Sequence, residues 1–175
     1  MKEKIFVSAG THSQGFERLI KKIDEIASKK EFEFFAQTGN TGFSPEYFEF
    51  RKFLSPMEME RKIDWADLII CHGGAGILGP GISKGKKIIV APRLKELNEH
   101  TDNHQLELGK AVEKEYSIKC ITDLSGLEQE IKKELPKKPA ERKKENRTEL
   151  IVAEFIEKQE EKIMARKPKD GGQKQ

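Results

Sequence analysis

The feature that most restricts the fold is an alternation of short apolar runs with stretches of helical periodicity. Runs at 5–9, 32–37, 67–72, 87–91 and 117–121 have strand length and are mostly apolar, the pattern of strands covered on both faces. Between them, Leu19, Ile20, Ile23, Ile26 and Ala27 recur at helical spacing within 16–29. Ser55 and Glu58 form a capping box with Pro56 at the first helical position, opening a helix that should reach Trp65. Further helices are expected from Gly76 to about Lys84, from about Asn103 to Lys114, and from a second capping box at Ser125 and Glu128. Strands alternating with helices imply βα units. The expected fold is α/β: a Rossmann-like open parallel sheet of five strands with helices on both faces, occupying residues 1–135.

Beyond that body, residues 136–167 read as a charged linker followed by an amphipathic helix, whose stripe is Ile151, Val152, Phe155, Ile156 and Ile163. Residues 168–175 read as a disordered tail. Only 35% of the chain is hydrophobic and 36% is charged, but the apolar residues are gathered in runs, which fits a globular body with a charged extension. The two cysteines, Cys71 and Cys120, each sit inside an apolar run, so a disulfide framework is not expected. No run approaches the ~18 apolar residues of a membrane helix, and a cytoplasmic protein is expected. The net charge of +3 is uneven: 12 basic against 8 acidic residues lie from Lys137 onward, leaving 21 against 22 before it. A near-neutral body argues against nucleic acid as the ligand.

In open parallel sheets, ligands bind at the carboxyl ends of strands. Three loops should converge there: 10–15, 72–76 and 99–105. In the second, a strand runs through His72 into Gly73, Gly74, Ala75 and Gly76 and then a helix. That arrangement exposes backbone N–H groups at the positive end of a helix, a natural diphosphate site. It is neither G-x-G-x-x-G nor a Walker motif, which disfavours nicotinamide and ATP. At Gly74 a carboxylate should repel the diphosphate with little loss of folding. The third loop offers Glu99, His100, Asp102, Asn103, His104 and Gln105 at a helix start. One side chain suffices for capping, so the surplus points to a polyhydroxylated ligand. His100 and His104 could share a metal, but no third ligand stands near, and neither metal nor cofactor is expected. Gly10, Thr11 and His12 follow the first strand, where His12 is a candidate for proton transfer.

These motifs in order, from Val7 to His12, Gln37 to Gly39, Trp65 to Gly76, Ala91 to Arg93 and Glu99 to Glu107, resemble the C-terminal domain of glycosyltransferase family 28, above all its stand-alone catalytic subunits. The resemblance implies a GT-B half-domain that holds a UDP-sugar (UDP-GlcNAc or UDP-glucuronate). It also implies transfer with inversion to a lipid-linked acceptor, alongside a membrane-anchored Rossmann-like partner subunit. By the same resemblance, Gly73, Gly74 and Ala75 match the diphosphate turn, while Asp102, His104 and Gln105 match contacts to the sugar. Phe53, Leu54 and Met57 match the uracil-binding segment, and Thr11 and His12 the loop facing the reacting groups. One departure stands out: Pro80 occupies the position of a ribose-binding glutamate, which makes Glu99 a candidate for the ribose and a non-catalytic regulatory subunit the alternative reading.

Overall fold

A computed structural model describes residues 2–116 and 118–137. The amphipathic helix and tail expected from the sequence lie outside the described residues. Among the latter, one sheet contains β1 (Lys4–Ser8), β2 (Glu33–Gln37), β3 (Glu49–Arg51), β4 (Leu68–Cys71), β5 (Lys87–Val90) and β6 (Lys119–Cys120). All pair in parallel, in the order β3-β2-β1-β4-β5-β6. The helices are α1 (Glu17–Ala27), α2 (Pro56–Trp65), α3 (Ala75–Ser83), α4 (His104–Tyr116) and α5 (Leu127–Glu134).

The centre of the sheet is apolar on both faces, as its sequence requires: Ile5, Phe6, Val7, Leu68, Ile69 and Ile70 are wholly buried. On one face, Ile5, Val7, Phe34, Ala36, Leu68 and Ile70 meet α1 and α5 through Leu19, Ile20, Ile23, Ile26, Leu127 and Ile131. No side chain caps α1, a loss of ~1 kcal/mol. Its buried Leu19, Ile20, Ile23 and Ile26, at ~1.5–3 kcal/mol each, outweigh that. The opposite face carries Phe6, Phe35, Ile69, Ile88 and Val90 against α2, α3 and α4. Contact there is close enough that a Cβ at Gly81 of α3 would lie 3.0 Å from Ile88, and one at Gly109 of α4 2.8 Å from the Cys120 sulfur.

Two local expectations are corrected. The sheet gains an edge strand, β3, where no apolar run predicted one. The capping box at Ser55 forms, with both reciprocal hydrogen bonds, but the one at Ser125 does not. There Asp123 accepts from the Ser125 amide at 2.9 Å, a 3-10 turn (Leu124–Gly126) intervenes, and α5 begins without a side-chain cap. Glu128 instead pairs with Lys29 and Lys132. Pro80 sits inside α3 without ending it, because it lies in an exposed turn where water can serve the freed carbonyl.

Strand order fixes the site. From β1 the chain builds outward to β2 and β3, then returns to place β4 on the other side of β1. The reversal leaves a crevice beyond the carboxyl ends of β1 and β4, where residues 9–16 and 72–74 emerge side by side, with Ser8 opposite Cys71.

Candidate functional site at the carboxyl edge of the sheet

His72 joins the two loops at this crevice. Its backbone N–H donates to the Ser8 carbonyl at 3.1 Å, and its ring Nδ1 lies 3.1 Å from the same oxygen. A carbonyl can only accept, so Nδ1 carries the ring proton and Nε2 is left as an acceptor. The ring fills the space between two glycines: a Cβ at Gly10 would lie 2.7 Å from it, and a Cβ at Gly74 2.2 Å from Nε2. Gly10 and Gly73 also have φ of +82° and +90°, which side-chain-bearing residues rarely adopt. A carboxylate at Gly74 would therefore displace His72 as well as meet a phosphate, contrary to the expectation of little structural cost. Gly76, in contrast, is exposed and has open space where a side chain would go. No side chain caps α3 at Gly74, so the positive end of the helix opens at the crevice with small residues around it.

Burial, reinforced by the positive charges of Arg93, His100 and His12, pushes His72 down to about 4, against the hydrogen bond to Ser8. The unfolded chain then takes up this proton near pH 6.5 while the folded chain holds none until about 4. Stability should fall as pH drops through that window, by up to about 3 kcal/mol. His72→Asn keeps a donor for Ser8 but cannot titrate. Urea unfolding at pH 7 and 4.5 should show a smaller acid loss in the variant than in the wild type; equal losses would contradict the assignment.

Across the crevice, His12 and His100 stack with ring centroids 4.4 Å apart and planes at 34°. The Gln14 amide donates to His12 Nδ1 at 3.3 Å, and the Asn40 side chain donates to the His12 carbonyl at 2.9 Å. Burial first, then His100 and Arg93, hold the His12 imidazole below its ordinary range, with Asp102 opposing them. Asp102 Oδ1 lies 3.1 Å from Nδ1 of both His100 and His104 and accepts from the His104 amide, the first of α4. Gln105 Oε1 accepts from the Arg93 amide at 3.2 Å. All four histidines of the chain thus gather at one edge, although 92 positions separate His12 from His104.

Other expected site residues are differently engaged. Glu99 is buried, with its two oxygens held by Arg18 at 2.8 and 2.9 Å and by the Leu94 amide at 3.0 Å. It offers no free carboxylate for a ribose. Asn103 braces its own loop, accepting from the Lys95 amide and donating to Glu96. Thr11 is exposed. Phe53 and Met57 are 49% and 62% exposed and, with half-buried Leu54, form an apolar ledge beyond the carboxyl end of β3. In the sequence Arg93 is distinguished only as the end of the Ala91–Arg93 motif; the structure makes it the hub of the crevice, donating to the carbonyls of Ala9, Gln14, Gly15 and Glu99.

Residues 4–164 match the family described as the glycosyltransferase family 28 C-terminal domain. The chain belongs to this family. It is 33% identical over 122 residues to the UDP-N-acetylglucosamine transferase subunit ALG13 of Homo sapiens, an alignment covering 63% of this chain and 10% of that protein. Among solved structures, the calicheamicin glycosyltransferase CalG4 superposes with a TM-score of 0.62 at 10% identity, covering 95% of this chain and 43% of that one. MurG of Acinetobacter baumannii does so with a TM-score of 0.55 at 19% identity, covering 89% and 46%. The chain thus spans about a tenth of its curated relative and less than half of these glycosyltransferases. Their likeness establishes the fold, that of one half of a GT-B enzyme. Among the described residues, no helix is long and apolar enough to cross a membrane.

Proposed function

We propose that this chain is the donor half of an inverting glycosyltransferase, holding a UDP-sugar for transfer to a lipid-linked acceptor presented by a membrane-anchored Rossmann-like partner. The observation that carries this reading is the uncapped N-terminus of α3, opened by Gly73 and Gly74 at the crevice between β1 and β4. It can neutralise a diphosphate without a metal. Three strand spacings away, about 14 Å, the Phe53, Leu54 and Met57 ledge can take the uracil, a span that a nucleoside and its pyrophosphate bridge together. Asp102, His104 and Gln105 face the sugar in this arrangement, and His12 is the candidate proton acceptor. UDP-GlcNAc is favoured by the likeness to ALG13, with UDP-glucuronate as the competing donor.

A second reading, a non-catalytic nucleotide-sugar-binding regulatory subunit, is favoured by one observation. Pro80 stands on the exposed side of α3, and Glu99, the substitute carboxylate, is committed to Arg18. A thermal-shift panel on the full chain tests what both readings share. A UDP-sugar at a hundredfold excess over its dissociation constant should stabilise by ~2.7 kcal/mol, a rise of several degrees, whereas NAD, ATP and duplex DNA should give none. Absence of any shift with millimolar UDP or UDP-sugars would overturn both.

A further inference from the structure

We propose that Arg93 is a positioning residue whose buried guanidinium clamps both ends of the 9–15 loop to the 94–103 loop and so holds His12 against His100. The inference rests on the reading of this edge as the donor site, although its geometry is independent of any ligand. Arg93 follows β5 by three residues and is 0% exposed. Nη2 donates to the Ala9 carbonyl at 2.7 Å, where the loop begins. Nη1 donates to Gln14 at 2.6 Å and Gly15 at 2.9 Å, where it ends, and to the Glu99 carbonyl at 3.2 Å. The Arg93 amide reaches Gln105 at the start of α4, and the guanidinium lies 5.0 Å over the Phe16 ring. Lysine, a point charge on a flexible stem, cannot reproduce this fork.

A stabilising role alone does not account for such a residue. Sequestering a charge costs several kcal/mol, and an apolar side chain of similar volume often serves folding as well or better. The two carboxylates whose fields reach Arg93 are occupied: Glu99 with Arg18, and Glu17 with the Gly42 amide at 2.8 Å. What the guanidinium does satisfy are carbonyls of the loops that carry the histidines. Its charge also acts on them, lowering both His12 and His72. The groups facing His12 are His100 and Asp102 from the 94–103 loop, Arg93 from the end of β5, and His72 from the end of β4. Of these, only Asp102 favours a protonated His12. The clamp and the charge work together, since a neutral His12 can lie against His100 where two imidazolium rings would repel.

Histidine-detected NMR titration of the ligand-free full chain separates the two contributions. In the wild type, His12 should titrate below the ordinary 6.5, and His12 and His100 should shift each other's ring protons. Arg93→Met should move the His12 midpoint upward and abolish the mutual ring shifts. Arg93→Lys should also lose the ring shifts but raise the midpoint less, because burial and the contact with His100 go with the clamp while the positive charge stays, a division that a merely structural role would not produce. Wild-type midpoint and ring shifts in either folded variant would overturn the proposal. A third measurement needs no variant: the Arg93 Nη protons of the wild type should exchange slowly and resolve separately, and a freely rotating, fast-exchanging guanidinium would overturn it. None of these readouts involves nucleotide, so failure here is distinct from failure to bind a UDP-sugar.

Discussion

Gly76→Asp should abolish most UDP-sugar affinity while leaving the fold intact or slightly more stable. The position is exposed, lies in the first turn of α3, and has nothing within 4 Å of where a Cβ would sit, so the change is electrostatic rather than steric. A carboxylate ~5 Å from a phosphate charge, at an effective dielectric near 20, costs about 3 kcal/mol, or about a hundredfold in affinity. In the free protein the same carboxylate meets the positive end of the helix, a gain of ~0.3–1 kcal/mol. The melting temperature without ligand should therefore hold or rise while the ligand-induced shift disappears. Gly74 cannot serve this test, since any side chain there must displace His72. Undiminished UDP affinity in a folded Gly76→Asp protein would place the diphosphate elsewhere.

The second large effect concerns transfer. The chain alone should bind donor yet give no ordinary turnover, because inversion requires the acceptor oxygen to be held close to the anomeric carbon. Positioning of that kind supplies ~7–11 kcal/mol of barrier reduction. The crevice beyond β1 and β4 is the edge of a single open sheet, whereas this chain covers less than half of the solved glycosyltransferases that it resembles. Adding a membrane fraction that contains the proposed partner should raise transfer to a lipid-linked acceptor by several orders of magnitude. Ordinary turnover by the purified chain alone would contradict the split. UDP-sugar binding without transfer, whatever partner is added, would favour the regulatory reading.

The sheet and most of its helices were legible because their signals are local: apolar runs, helical spacing, and Ser55 three residues before Glu58. The edge strand β3 was not, since Glu49 and Arg51 are exposed and Phe50 alone faces inward, which leaves no run to read. At Ser125 the local signal misled because Asp123, two residues earlier, competes for the same amide. Of the site, the glycine turn was visible, and the reason for its glycines was not, because the ring that excludes a side chain at Gly10 belongs to His72, which follows another strand. The count of hydrogen-bonding residues in 99–105 overstated what a ligand can reach. Glu99 answers to Arg18, 81 residues away, and Asn103 to its own loop. The stacking of His12 on His100 and the Arg93 clamp depend on long-range topology that no spacing in the chain announces.

Amide-resolved NMR of the full chain titrated with UDP and UDP-GlcNAc tests the central claim most directly, because it reads the position of the diphosphate as well as its binding. The largest shifts should fall on the amides of Gly73, Gly74, Ala75 and Gly76. Smaller ones are expected at Thr11 and His104, and at Phe53 and Leu54 if the ledge takes the base. No shifts at millimolar ligand, or shifts that leave the start of α3 untouched, would contradict the account.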